Sequence, residues 1–356
     1  MTAAGPTAAC RVEAGALEAF AARILEQAGC SRTHAQETSA CLVSANLEGV
    51  DTHGVARLAI YARRVRAGAI NPAPSLSWIR GRGGLGVLDG DNGLGPVVGQ
   101  AAMRRAIELA REFGIGWVMA RNSNHYAHAG FYAAMAAEAD MVGLSASSGE
   151  PVVAPWGGTK AFFTNNPLAV AAPNGAAPIV VDLATSVAAR GQILLAARTG
   201  RAIPEGWAVD DKGAPTTDPK AALAGSVLPM AGAKGYALIL ALEILTGILA
   251  GGAFAPNVGS QHSAQGAAGI GQLFVAIDPT ALMDEAEFSS RMSQMTDALA
   301  EAPAREGETI RLPGARRQAV ARQRAAAGIP LAPEILAELH ALADEFGLPE
   351  SMRLHG

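Results

Sequence analysis

The sequence predicts an α/β protein in which a mixed α/β domain is inserted into a mainly helical domain made of both chain ends. Three observations lead there. The first 80 residues carry helical apolar spacing, the middle of the chain alternates short β-prone runs with helical segments, and helical spacing returns from residue 284. The chain has 356 residues, 50% of them hydrophobic, which is ample for two domains with buried cores. Neither helical end has enough apolar surface for a core of its own. The two are therefore expected to pack together, giving a helical domain of residues 1–80 and 284–356 and an α/β domain of residues 81–283.

In EAGALEAFAARILEQAG, Leu17, Phe20, Ile24 and Leu25 fall at helical spacing and Gly29 stops the helix. A second helix is expected to open at Thr33-His-Ala-Gln36, which suits a capping box, and to run to Leu47. A third begins at Thr52 and ends near Gly68, before the loop Asn71-Pro72-Ala73-Pro74. Strands are expected at 86–89, 115–119, 142–146, 168–171, 179–182 and 273–277, with helices at 97–113, 129–139, 187–198 and 235–249 between them. No internal repeat or low-complexity segment interrupts this order.

Composition narrows the function. Charged residues make up 17% and the formal net charge is -4, with no basic run to meet nucleic acid or an anionic membrane. Arg316, Arg317, Arg322 and Arg324 spread along a helix and read as a solvated face, with a phosphate contact as the alternative. Cys10, Cys30 and Cys41 are odd in number and form no C-x-x-C, so they read as small buried hydrophobes, not as a disulfide framework or a zinc site. The start, MTAAGPTAAC, has no basic or apolar region of a signal peptide. The longest apolar stretch, 237–250, is interrupted by Glu243 and Gly247 and reads as a core helix. A cytoplasmic location is expected.

Two glycine patterns imitate a dinucleotide loop. Gly81-Arg-Gly83-Gly-Leu-Gly86 leads into a strand, so no helix N-terminus is there to hold a pyrophosphate. Gly93-Leu-Gly95-Pro-Val-Val-Gly99 follows a strand and opens a helix, but the turn Asp89-Gly90-Asp91-Asn92 delays its first glycine, and a plain turn and helix start is the favoured reading.

Four constellations carry more chemistry. In Asp51-Thr52-His53-Gly54-Val55-Ala56-Arg57, Asp51 or Thr52 is expected to cap a helix that holds His53 in its first turn and Arg57 one turn on. A guanidinium grips a carboxylate through two parallel hydrogen bonds, and a neighbouring imidazole can exchange a proton with an oxygen on the next carbon. An exposed helix face is the alternative. In Asn122-Ser123-Asn124-His125-Tyr126-Ala127-His128, Ser123 or Asn124 suits a helix cap whose free amides would take a phosphate; metal ligation by His125 and His128 is the weaker alternative. The turn Thr164-Asn165-Asn166-Pro167 is followed by Asp182 at a strand end, with Thr185 and Ser186 ready to cap the next helix. Lys234 heads a long apolar helix, against the helix dipole, which points to a nearby anion.

At these residues the sequence resembles the malate/L-lactate dehydrogenase-type oxidoreductases, a family with sulfolactate, ureidoglycolate and diketogulonate enzymes and piperideine- and pyrroline-2-carboxylate reductases. The resemblance runs through ANLEGVDTHGVARL, LDGDNGLG, RNSNHYAHAGFY, PWGGTKAFFTNNPLAVAAP, VVDLATS, GAKGYALILALEILTGILAGGAF, RLPG and GIPL. It implies a mixed sheet flanked by helices that is not a Rossmann fold, and a homodimer with sites near the subunit interface. It implies that His53 is the acid/base, with Thr52 beside it, that Arg57 clamps the substrate carboxylate, and that Asp182 supports the chemistry. Cofactor contacts are implied for His125, Tyr126, Thr164, Asn165, Asp182, Leu183, Ala184, Lys234, Pro313 and Gly314. The chain departs from the family pattern at Thr52, where Ser is usual, and at Tyr126-Ala127, where an aromatic-glycine pair is common. It departs also at Gln272, often His, and at Ala315-Arg316-Arg317, where an acidic residue is common and where the arginines offer charge to the 2′-phosphate of NADP.

The function expected is reversible hydride transfer between NAD or NADP, with NAD the first choice, and the C2 carbonyl of a small 2-oxo acid. Reduction of a cyclic imine carboxylate uses the same clamp and is the alternative within the class. A catalytically silent nicotinamide-binding dimer and a metal hydrolase on His125 and His128 are the readings outside it. Neither a metal, nor nucleic acid, nor a membrane is expected as a partner.

Overall fold

The strand Ile270–Ile277, IGQLFVAI, is apolar on both faces except at Gln272 and buried along nearly its whole length, as a strand in the middle of a covered sheet must be. In the computed structural model, which describes residues 10–354, it lies at the centre of a seven-stranded sheet. The order is Ser77–Arg82, Leu85–Asp89, Ile115–Ser123, Ile270–Ile277, Val142–Ser147, Leu168–Ala172, Ile179–Leu183. Leu85–Asp89 and Ile115–Ser123 pair in parallel, and the other neighbours are antiparallel. This is a mixed sheet, not the parallel sheet of a Rossmann domain.

The helix Gly95–Phe113 starts with Pro96 in its first turn and ends at Gly114, whose φ is 79°. A Cβ at Gly95 would lie 2.3 Å from the carbonyl oxygens of Asn124 and His125. The glycine therefore lets backbone approach backbone, which is its role in place of a phosphate turn. The other glycine pattern, Gly81 to Gly86, lies in the hairpin of Ser77–Arg82 and Leu85–Asp89. One part of the core joins Met119, Ala146, Leu242, Leu273 and Val275.

The chain divides into two compact units. The helical unit takes the chain up to Pro74, His262–Gln265 and the chain from Gly314; the sheet unit takes Ser75–Gln261 and Gly266–Pro313. These borders differ from 80 and 284 for identifiable reasons. Ser77–Arg82 pairs with Leu85–Asp89, and the helix Glu285–Glu301 follows the turn Pro279–Ala281 at the end of the central strand and belongs with the sheet. Inside the helical unit, Cys10–Val12 pairs with Ile329–Leu331, and Arg63 donates two hydrogen bonds to Glu345, at 3.0 and 2.8 Å.

Local corrections come from capping. The helix Arg32–Leu47 is capped by Ser31, whose hydroxyl accepts from the His34 amide at 3.2 Å, not by a box starting at Thr33. The helix at Lys234 spans Ala233–Glu243 and continues as a π-helical stretch over Ile244–Leu249. Among the described residues, no helix is long and apolar enough to cross a membrane.

Candidate active site

In the helical unit the residues around His53 do not form the expected helix. Asp51–His53 and Val55–Arg57 are two separate 3-10 turns, broken at Gly54, and the α-helix begins only at Leu58. His53 is therefore not in the first turn of an α-helix, and neither Asp51 nor Thr52 caps one. The pair is nevertheless brought together by the residue between Asp51 and His53. The Thr52 hydroxyl lies 3.0 Å from His53 Nδ1, and the Thr52 carbonyl accepts Arg57 Nε at 2.8 Å. His53 and Arg57 are both half-buried. Asp51 turns the other way and accepts from Asn46 Nδ2 at 2.8 Å.

In the sheet unit, Ser123 and Asn124 do not cap the next helix, Ala129–Ala137, which has no side-chain cap. The Asn124 amide instead donates to Asn92 Oδ1 at 3.0 Å and to the Gly93 carbonyl at 2.9 Å, fastening its loop to the preceding turn. Gln272, fully buried, donates to the Asn124 carbonyl at 3.1 Å. Below the loop, Asp89 binds Arg121 Nε at 3.0 Å and the Asn122 amide at 2.9 Å. Burial alone would raise the Asp89 pKa, but the Asp91 N–H, the Asn122 amide and the Arg121 guanidinium outweigh it and hold it below the ordinary value. His125 is half-buried. The Tyr126 side chain is committed to the core, stacked on Tyr132 at 4.7 Å with its hydroxyl 3.3 Å from Ser145 Oγ, so only its backbone is available to a ligand. His128 Nδ1 lies 3.8 Å from Asp182 Oδ2.

Three further segments are tied into one framework. Thr185 donates its N–H and its hydroxyl to the Asn165 carbonyl, at 2.8 and 2.7 Å, and its own carbonyl accepts the Met230 N–H at 2.9 Å. This joins the Thr164–Asn165 turn, the Asp182-Leu183-Ala184 strand end and the chain entering the Lys234 helix. Thr185 and Ser186 do not cap the following helix; Arg190–Thr199 starts after Ala189 without a side-chain cap. Lys234 is exposed in the first turn of its helix. Glu243 went unrecognised in the sequence except as an interruption of an apolar stretch. It is buried, accepts from Asn166 Nδ2 at 2.8 Å and from the Ala255 N–H at 2.7 Å, and so anchors the Thr164–Asn166 turn. A carboxylate inside an apolar helix was the signal.

Pro313 is exposed and ends the sheet unit; Gly314, with φ 82°, precedes the helix Ala315–Ala327. That helix is not a uniformly solvated face. Arg316 and Arg322 are exposed, but Arg317 Nη1 approaches Glu48 to 3.8 Å and Arg324 forks onto Asp51 at 2.7 and 3.1 Å.

The sequence profile of the malate/L-lactate dehydrogenase family matches residues 12–340. A malate dehydrogenase of Pyrococcus abyssi is 37% identical over 347 residues, covering 95% of each chain. A (2R)-3-sulfolactate dehydrogenase (NADP+) of Chromohalobacter salexigens is 37% identical over 92% of this chain and 96% of its own length. A ureidoglycolate dehydrogenase (NAD+) of Escherichia coli O157:H7 is 35% identical over 87% and 89%. The solved sulfolactate dehydrogenase of Methanocaldococcus jannaschii superposes with a TM-score of 0.90 at 35% identity, covering 95% of this chain and 98% of that one. Fold and relatives together define an oxidoreductase of the NAD(P)-dependent 2-hydroxyacid dehydrogenase class. The chain belongs to the malate/L-lactate dehydrogenase family.

Proposed function

We propose that the protein reversibly reduces the C2 carbonyl of a small 2-oxo acid, with His53 as the acid/base and Arg57 as the carboxylate clamp. The observation that carries this reading is the shared anchor at Thr52. Arg57 spends Nε on the Thr52 carbonyl, which leaves its two terminal nitrogens as paired donors for a carboxylate. The imidazole exchanges its proton at Nε2. In the imidazolium that donates, and in the neutral ring that accepts during the reverse reaction, Nδ1 is assigned the proton it keeps throughout, hydrogen-bonded to the Thr52 hydroxyl oxygen.

The donor set of the sheet unit fits a dinucleotide. Thr164 and Asn165 offer a hydroxyl and an amide, Asp182 a carboxylate for ribose hydroxyls, the Leu183–Ala184 backbone further hydrogen bonds, and the exposed Lys234 an ammonium for phosphate. His125, the Tyr126 backbone and Pro313-Gly314 are assigned to the same cofactor. Bound NADH or NADPH supplies the hydride. Asp182 is proposed to support the proton chemistry as well as cofactor binding. NAD is the cofactor to test first, because Arg317 already faces Glu48. A homodimer is proposed; the exposed stripe Leu240, Ile244, Ile248 supports it.

The test is oxidation of NADH and of NADPH with pyruvate, oxaloacetate, sulfopyruvate and piperideine-2-carboxylate. Turnover of a 2-oxo acid is expected. Turnover of the cyclic imine alone would move the reading to the imine reductases, and nicotinamide binding without any turnover would leave a silent dimer.

A further inference from the structure

Arg324 lies far along the sequence from the proposed acid/base yet closes a hydrogen-bonded frame around its loop. In the helix Ala315–Ala327, residues 317, 320 and 324 share one face. All three meet the end of the Arg32–Leu47 helix and the turn after it. Arg317 approaches Glu48, and a Cβ at Gly49 would lie 3.1 Å from Val320. Arg324 donates to both Asp51 carboxylate oxygens and, at 2.5 Å, to the Asn46 carbonyl. That carbonyl belongs to the C-terminal turn of a helix, where a cation is favoured.

Asn46 extends the frame. It is 2% exposed. Its Nδ2 donates to Asp51 Oδ1 at 2.8 Å and its Oδ1 accepts the Val55 N–H at 2.8 Å. A Cβ at Gly54 would fall 2.1 Å from that Oδ1, so the side chain is seated directly under the break between the two 3-10 turns. Asp51 and Val55, on either side of Thr52 and His53, are thus both held by Asn46, and Asp51 and Asn46 are both held by Arg324. The Arg324 side chain keeps only 15% of its exposure, so it lies against the loop and not out in solvent.

We infer that Arg324 is a positioning residue for the proposed reaction: through Asp51 and Asn46 it fixes the 51–57 loop, and with it the geometry of His53 and Arg57. The inference rests on the roles proposed above for those two side chains. It gives the C-terminal helix a part in the chemistry as well as in stability.

Two readouts on the full-length protein test it. Hydrogen–deuterium exchange of a peptide covering residues 48–58 is compared between the parent and Arg324→Gln; the expected change is roughly tenfold faster exchange there, with sheet-unit peptides unaltered. Steady-state kinetics with oxaloacetate and NADH should show kcat falling roughly tenfold to a hundredfold, while NADH affinity stays within about twofold. Arg324→Lys should recover only part of the loss, because an ammonium cannot fork. In a His53→Ala background, Arg324→Gln should cost no further kcat. Unchanged exchange at 48–58, or a loss that multiplies onto that of His53→Ala, overturns the inference. Should Arg324→Gln fail to fold, Asp51→Asn breaks the same link while keeping side-chain volume. Full activity in His53→Ala would instead refute the acid/base assignment, and the exchange readout would still judge the hold of Arg324 on the loop.

Discussion

The Thr52 hydroxyl stands 3.0 Å from Nδ1 of His53. In the proposed role the hydroxyl accepts from Nδ1–H, which leaves Nε2 to change its protonation state. Thr52→Val removes the acceptor at nearly constant volume and is expected to lower kcat roughly tenfold with little change in KM. Thr52→Ser keeps the hydroxyl and should stay within about twofold of the parent. Steady-state kinetics of the two variants side by side check this.

The carboxylate-clamp role proposed for Arg57 predicts a loss of affinity before a loss of rate. Arg57→Lys keeps the charge but loses both the fork and the Nε bond to the Thr52 carbonyl. KM for the 2-oxo acid is expected to rise roughly tenfold to a hundredfold, with a smaller effect on kcat. Initial rates across a range of substrate concentrations separate the two constants.

Ala127 occupies a backbone conformation with φ 65°, two residues after His125. A Cβ is strained there, and the family resemblance marks this position as one where glycine is common. Ala127→Gly is expected to raise stability by up to about 1 kcal/mol, with the strain relief exceeding the extra chain entropy of glycine. Urea denaturation measures it.

Asp89 makes stability depend on acid. Burial opposes its ionisation, but its hydrogen bonds and the Arg121 guanidinium hold its pKa below the unfolded value. A carboxyl depressed on folding contributes stability that is fully present above its unfolded pKa, about 4, and is lost as the pH falls through the folded one. Asp89→Asn should therefore be less stable than the parent at neutral pH, and the difference should shrink on acidification below about pH 4. Thermal melts across that range check the sign.

Much of the sheet was legible because its inner strands carry short, β-prone apolar runs between glycine-rich turns. Ile115–Ser123, Val142–Ser147 and Ile270–Ile277 all appear near their expected places. Ser77–Arg82 was not legible: as an exposed, arginine-bearing edge strand it lacks the apolar signal. The 51–57 segment was misread as the start of a helix because its shape comes from elsewhere in the chain. Asn46 and Arg324, the latter 278 residues from the carbonyl it binds, hold the break at Gly54, and no local pattern carries that information. For the same reason Asn124 and Thr185 looked like helix caps. Their side chains serve long-range loop contacts to Gly93 and Asn165, which compete with capping and win here. The motif residues themselves were recognisable by resemblance, whereas the supports beneath them, Asn46, Glu243 and Arg324, became visible only in three dimensions.

The acid/base role of His53 is tested most directly by His53→Ala, assayed from about pH 6 to about pH 9 with the 2-oxo acid that turns over fastest. The expected result is a kcat lower by roughly a hundredfold or more at each pH, with NADH affinity unchanged. A variant that matches the parent rate across that range would contradict the account.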